Sequence, residues 1–133
     1  MKNNHEVYSF IGHRCCIFDN ETIEDAIKSM RFETIKEYGN KFLNEDGSVK
    51  HFLHTWDEGE RELVRCNKCG AYFIKQDSEF HGLDDTDYTD WYQVENPDIA
   101  EKLNEIYNGW ELEKKYSAPG ILRTNGKYHW NKE

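Results

Sequence analysis

Cys66 and Cys69 carry the clearest chemistry in this chain: two thiols three positions apart, followed at once by Gly70. Two intervening residues, Asn67 and Lys68, let both sulfurs reach one side of a tight turn, about 2.3 Å from a shared metal ion. Gly70 can take a positive φ at little steric cost, which such a reversal often needs. Glu62-Leu63-Val64 leads in and Tyr72-Phe73-Ile74 leads out, both strand-like, so the thiols sit at the tip of a hairpin. A redox C-x-x-C would instead open a helix after a strand, and Tyr72-Phe73-Ile74 is not a helix start. A plain turn that happens to hold cysteines is the structural alternative.

A hairpin tip built as Cys66-Asn67-Lys68-Cys69-Gly70 resembles the knuckle of a zinc ribbon or treble clef. The resemblance covers only these residues. It implies a structural zinc ion with two further ligands, and in zinc ribbons those come from a second knuckle facing the first. His13-Arg14-Cys15-Cys16 repeats the two-residue spacing and provides His13 and Cys16, with Cys15 as a substitute. His54 and His81 form the rival set, each eleven residues from the cysteine pair. A strand from Glu60 to Arg65, however, places His54 roughly 20 Å from the tip. His81 starts from the same far end, although its loop could fold back. The expected set is therefore His13, Cys16, Cys66 and Cys69, with Cys15 and His81 as alternates. His51 and His54 read as surface or packing residues.

A catalytic metal needs three protein ligands, an open position and a nearby acid or base. The chain has no H-E-x-x-H and no His-x-Glu ahead of a Pro-Cys-x-x-Cys. Gly-x-Ser-x-Gly and phosphate-binding glycine loops are absent too. Activation of Cys15 by His13 or Arg14 is the nearest thing to a nucleophile. A metal- or cysteine-dependent enzyme is thus the competing function class.

The 133 residues suit a single domain, 1–133. Hydrophobic residues make up only 37% and aromatic ones 14%, so the expected core is small and built from large rings, with a metal adding to it. The net charge of −9 is uneven. Residues 76–101 hold nine of the 26 acidic side chains and none of the 17 basic ones, and elsewhere the signs balance. Direct nucleic-acid binding needs clustered cations, which this stretch lacks; a protein with a basic surface fits its field better. Within it, Asp84, Asp85, Asp87, Tyr88, Asp90 and Trp91 alternate carboxylates with rings. Such a pattern resembles, in composition alone, small inhibitors of nucleases and of phage-defence systems and some immunity proteins. The oxygen spacing does not match an EF-hand. The bland alternative is a solvated acidic loop with Trp91 and Tyr92 turned inward. The N-terminal residues are not signal-like and no segment approaches membrane-spanning length. Four cysteines without that signal fit a cytoplasmic location and metal binding rather than disulfides.

The elements that must position these residues are read from periodicity. Residues 6–18 suggest one or two strands broken at Gly12-His13-Arg14. Ile23, Ala26, Ile27 and Met30 have helical spacing after Asp19 or Asn20 as cap, and the helix either stops near Met30 or runs to Tyr38. Glu45-Asp46-Gly47-Ser48 and Asp57-Glu58-Gly59-Glu60 look like hairpin turns in a meander of three or four strands. Asn96-Pro97 opens a helix with Ile99, Leu103, Ile106 and Tyr107 inward and Gly109 as its stop. Thr124-Asn125-Gly126-Lys127 is a type I′ hairpin signal. The expected fold is α+β: a small antiparallel sheet, two helices and one zinc-ribbon-like knuckle.

Overall fold

The computed structural model describes residues 8–39, 56–80, 86–107 and 109–132. Their architecture is α+β. Six antiparallel strands form one sheet: β2 (Phe32–Gly39), β3 (Trp56–Cys66), β4 (Tyr72–Phe80), β5 (Thr86–Val94), β7 (Pro119–Thr124) and β8 (Lys127–Lys132), in the spatial order β2-β3-β4-β5-β7-β8. A separate short parallel pair joins β1 (Tyr8–Ser9) to β6 (Tyr116–Ser117). The helices are α1 (Ile23–Ser29), α2 (Pro97–Ile106) and α3 (Gly109–Lys115). No helix among the described residues is long and apolar enough to cross a membrane.

Strand alternation divides the core in two. On one face Leu63, Ile74, Tyr92 and Val94 pack under Ala100 and Leu103 of α2 and under Tyr107, Leu112 and Tyr116. On the other, Val64, Cys66, Phe73, Trp91 and Ile121 pack under Cys15, Ile17, Phe18 and Ala26. The sheet is therefore covered on both sides, with the N-terminal segment on the cysteine face.

Local chemistry explains several ends. Asn96 Oδ1 accepts from Ile99 N at 2.9 Å with proline directly behind it, so α2 starts where its cap dictates. Ala100 takes the buried position that spacing assigned to Ile106, which is 43% exposed. Gly109 opens α3 instead of stopping a helix. Asn125 and Gly126 have φ of 48° and 83°, the left-handed pair that a type I′ turn requires.

Three expectations give way, one to a nearer cap and two to strand pairing, while α1 ends by Met30, the first of the two stops that spacing allowed. Thr22, whose Oγ1 accepts from Asp25 N at 3.1 Å, caps α1 in place of Asp19 or Asn20; beyond Met30 the chain becomes strand β2. Asp57-Glu58-Gly59-Glu60 is not a turn. β3 runs straight through it with a bulge, two residues between Glu58 and Arg61 facing one on β4. From Thr86 onward the acidic stretch is strand β5, paired with β4 along its length and with β7 from Tyr88 to Tyr92, and not a loop.

Candidate metal centre

The turn between β3 and β4 closes through hydrogen bonds from Cys66 N to the Ala71 carbonyl at 2.7 Å and from Gly70 N to the Cys66 carbonyl at 2.9 Å. Gly70 sits at φ 83°, the left-handed conformation that its place after the second cysteine anticipates. This turn presents Cys66, 4% exposed, and Cys69, which is exposed.

Above it lies the N-terminal segment. Two adjacent residues of a strand point to opposite faces, so Cys15 and Cys16 could not both reach one point from the strand that periodicity suggests. The chain instead tightens into a 3-10 turn at Cys16–Asp19, and both sulfurs converge. Gln93, buried in β5, holds this segment down: its Oε1 accepts from Cys15 N at 3.0 Å and its Nε2 donates to the His13 carbonyl at 2.9 Å. Tyr116 Oη in turn donates to the Gln93 carbonyl at 2.7 Å.

The result is a cluster of four sulfurs, Cys15, Cys16, Cys66 and Cys69, all within 4.8 Å of one another. Two separations are resolved individually: 3.5 Å for Cys15–Cys69 and 4.0 Å for Cys16–Cys66. Four ligands 2.3 Å from one tetrahedral ion lie roughly 3.8 Å apart, so these edges match a closed coordination shell. Four sulfurs suit a soft or borderline cation.

Electrostatics points the same way. Burial drives the Cys15 thiol far above its ordinary range, helped by the neighbouring sulfurs and only partly offset by the Ile17 N–H. Cys16 is pushed up to about 11 by burial, by its hydrogen bond with Cys69 and by charge on Cys66 and Cys69. For Cys69 burial also works upward, but hydrogen bonds from the backbone N–H groups of Cys16 and Ala71 and from the two N-terminal thiols outweigh it, bringing it down to about 7. Sulfurs this close repel one another as thiolates, and a bound dication is what would let all four ionise together.

The cluster thus unites Cys16, Cys66 and Cys69 with Cys15 in the place that spacing assigned to His13. His13 is exposed and lies outside the group; its backbone carbonyl, not its ring, is the part fixed here. His81 falls outside the described residues, as do Asp84 and Asp85. Of the acidic stretch, Asp87 is exposed and Tyr88 half-buried. Trp91 is 6% exposed, stacked on Tyr128 at 6.4 Å with Lys75 Nζ 5.8 Å from its ring centroid. A side chain so enclosed belongs to the core and cannot serve as an open recognition surface. Asp90 lies on the opposite, α2-covered face and accepts from Tyr92 Oη at 3.2 Å. Burial raises its carboxyl to about 7, with Glu113 and Asp77 adding to the shift and Tyr92 opposing it.

Gln93 and Arg61 are the residues that sequence reasoning missed. Arg61 is 1% exposed and donates to Gln76 Oε1 at 2.6 Å, Asn104 Oδ1 at 3.0 Å and the Tyr107 carbonyl at 2.9 Å, tying the end of α2 to the sheet. A glutamine amid large side chains in β5 was the signal available for Gln93; nothing local marked Arg61 as interior.

No family model, curated protein or solved structure matches this chain, so the centre is understood from its own donor set and geometry.

Proposed function

We propose that this chain is a small zinc-stabilised interaction module whose acidic sheet end receives the basic surface of another protein, in the manner of an inhibitor or immunity factor. The observation that carries this is a row of carboxylate residues in register. Asp57 of β3 pairs with Glu79 of β4, which pairs with Asp87 of β5. Glu79 and Asp87 are exposed. Like charges directly opposite one another oppose folding, and a partner's cations would relieve them.

The metal end supports the same reading. Tyr72 and Glu79 bound a β4 segment of seven steps, so the sulfur cluster and the carboxylate row lie roughly 23 Å apart along the strand. Four protein sulfurs fill a tetrahedral shell, which is the arrangement of a structural rather than a catalytic zinc, and argues against the metalloenzyme alternative. Cys15, Cys16, Cys66 and Cys69 would hold the ion and Gln93 would orient the N-terminal pair.

The test is capture of a basic protein from the native host across a salt series, followed by identification of the captured protein and direct titration with it. Binding should weaken steeply with salt and fall when Glu79, Asp87 and their acidic neighbours Asp84 and Asp85 are converted to amides. Binding indifferent to both salt and those substitutions would remove the proposal, as would stoichiometric iron in place of zinc for the metal part.

A further inference from the structure

Exposure within the sulfur cluster is uneven. Cys15 is 1% exposed and Cys66 4%, Cys16 is intermediate, and Cys69 alone is open to solvent. An oxidant arriving from solution therefore meets Cys69 first. Directly behind it stands the Cys15 sulfur at 3.5 Å, and the two remaining sulfurs, Cys16 and Cys66, are 4.0 Å apart. A disulfide needs about 2.05 Å, so each pair must close by under 2 Å, a distance within reach of side-chain rotation.

We infer that the centre is also a modification site for hydroperoxides, with Cys69 as the attacked sulfur and Cys15 as the one that resolves it. This rests on the metal reading above. The Cys69 thiolate attacks one peroxide oxygen; the O–O bond breaks, hydroxide leaves, and Cys69 becomes a sulfenic acid. The Cys15 sulfur then attacks the Cys69 sulfur, an S–S bond forms, the S–O bond breaks and a second hydroxide departs. Two sulfurs have each lost one electron and one peroxide has been reduced. A second peroxide oxidises Cys16 and Cys66 in the same way, and the ion, stripped of thiolates, is released.

The pairing decides what this does to the fold. Cys15–Cys69 and Cys16–Cys66 both link the N-terminal turn to the β3–β4 turn, across 54 and 50 positions. Oxidation then exchanges one cross-link for another and keeps the segment seated, with long closed loops that constrain the unfolded chain. Bonding within Cys66–Cys69 would leave the N-terminal segment untied.

Zinc-loaded protein treated with hydrogen peroxide tests the inference without any substitution. Ion release is followed with a chromogenic chelator, dimedone traps the first sulfenic acid, and unreduced tryptic peptides are mapped. Cleavage after Arg65 and Lys68 separates Cys66 from Cys69. Expected are dimedone on Cys69, and a three-peptide species in which the segment holding Cys15 and Cys16 is joined to both others, with fragmentation between those two residues placing Cys69 on Cys15. A Cys66–Cys69 or Cys16–Cys69 bond, dimedone on another cysteine, or zinc retained at peroxide excess would overturn it. Purified protein that binds no zinc yet forms the three-peptide species would sink the metal reading while leaving the peroxide site standing.

Discussion

Two ends of one sheet face gather ionisable groups, and they treat them in opposite ways. At the β3–β4 turn four sulfurs converge under a buried segment, with backbone N–H groups aimed at them and Gln93 holding the lid. At the far end Glu79 and Asp87 sit opposite each other in the open, in register with Asp57. One cluster is enclosed and could hold an ion; the other is open to solvent at Glu79 and Asp87. The difference teaches how each end serves the fold: enclosure and hydrogen bonding hold the sulfurs in place, whereas like charges facing each other across strands add nothing to strand pairing by themselves.

The strongest way to break the comparison is at the sulfur end. Cys15→Ala should destabilise as severely as Cys66→Ala, on the order of 5 kcal/mol, because a structural ion's binding energy is folding energy. His13→Ala should leave the melting temperature and zinc content unchanged. Thermal melts with metal analysis decide it, and the reverse pattern would restore the histidine as fourth ligand. Gln93→Leu should cost about 2 kcal/mol by stranding the buried Cys15 N–H, and should weaken zinc affinity roughly tenfold or more by loosening the N-terminal pair. Competition with a chelator of known affinity measures the second effect.

Asp90 sharpens the comparison on the other face of the sheet. Its carboxyl titrates near 7 when folded against an ordinary value of 3.8, so the folded state binds the extra proton between those limits. Stability should therefore fall as pH rises from about 4 to 7, by on the order of 2 kcal/mol, about half of what the full shift would carry because Asp90 is only partly buried, and level off above. Asp90→Asn should flatten that slope and raise stability at pH 8. Denaturant melts at pH 5 and 8 for both proteins check it; a wild-type chain equally stable at the two would show that Asp90 is not held protonated. The smallest expected effect is the most telling. Glu79→Gln with Asp87→Asn should stabilise the fold by about 0.5 kcal/mol, yet weaken capture of a basic partner about tenfold, or 1.4 kcal/mol. Opposite signs from one double variant would mark the row as a surface kept for binding.

Much of the local structure was legible because neighbouring residues cause it. Cys66 to Gly70 dictate their own turn, Asn96-Pro97 starts α2, and Asn125-Gly126 supplies the positive φ values of the β7–β8 turn. Where contacts are distant, the same reasoning failed. Asp57-Glu58-Gly59-Glu60 has turn residues, but pairing with β4 absorbs it as a bulge. Asp90 looks solvated, yet β4 and β7 flank it in an inner strand.

By itself, the amino-acid order determined that two thiols share one hairpin tip and that negative charge is concentrated between residues 76 and 101. Only tertiary structure decided that Cys15, and not His13, completes the cluster. The reason is physical: the orientation of adjacent cysteines depends on a 3-10 turn whose start is pinned by Gln93, 78 positions further along the chain. No local preference encodes a hydrogen bond that forms only once the sheet has assembled.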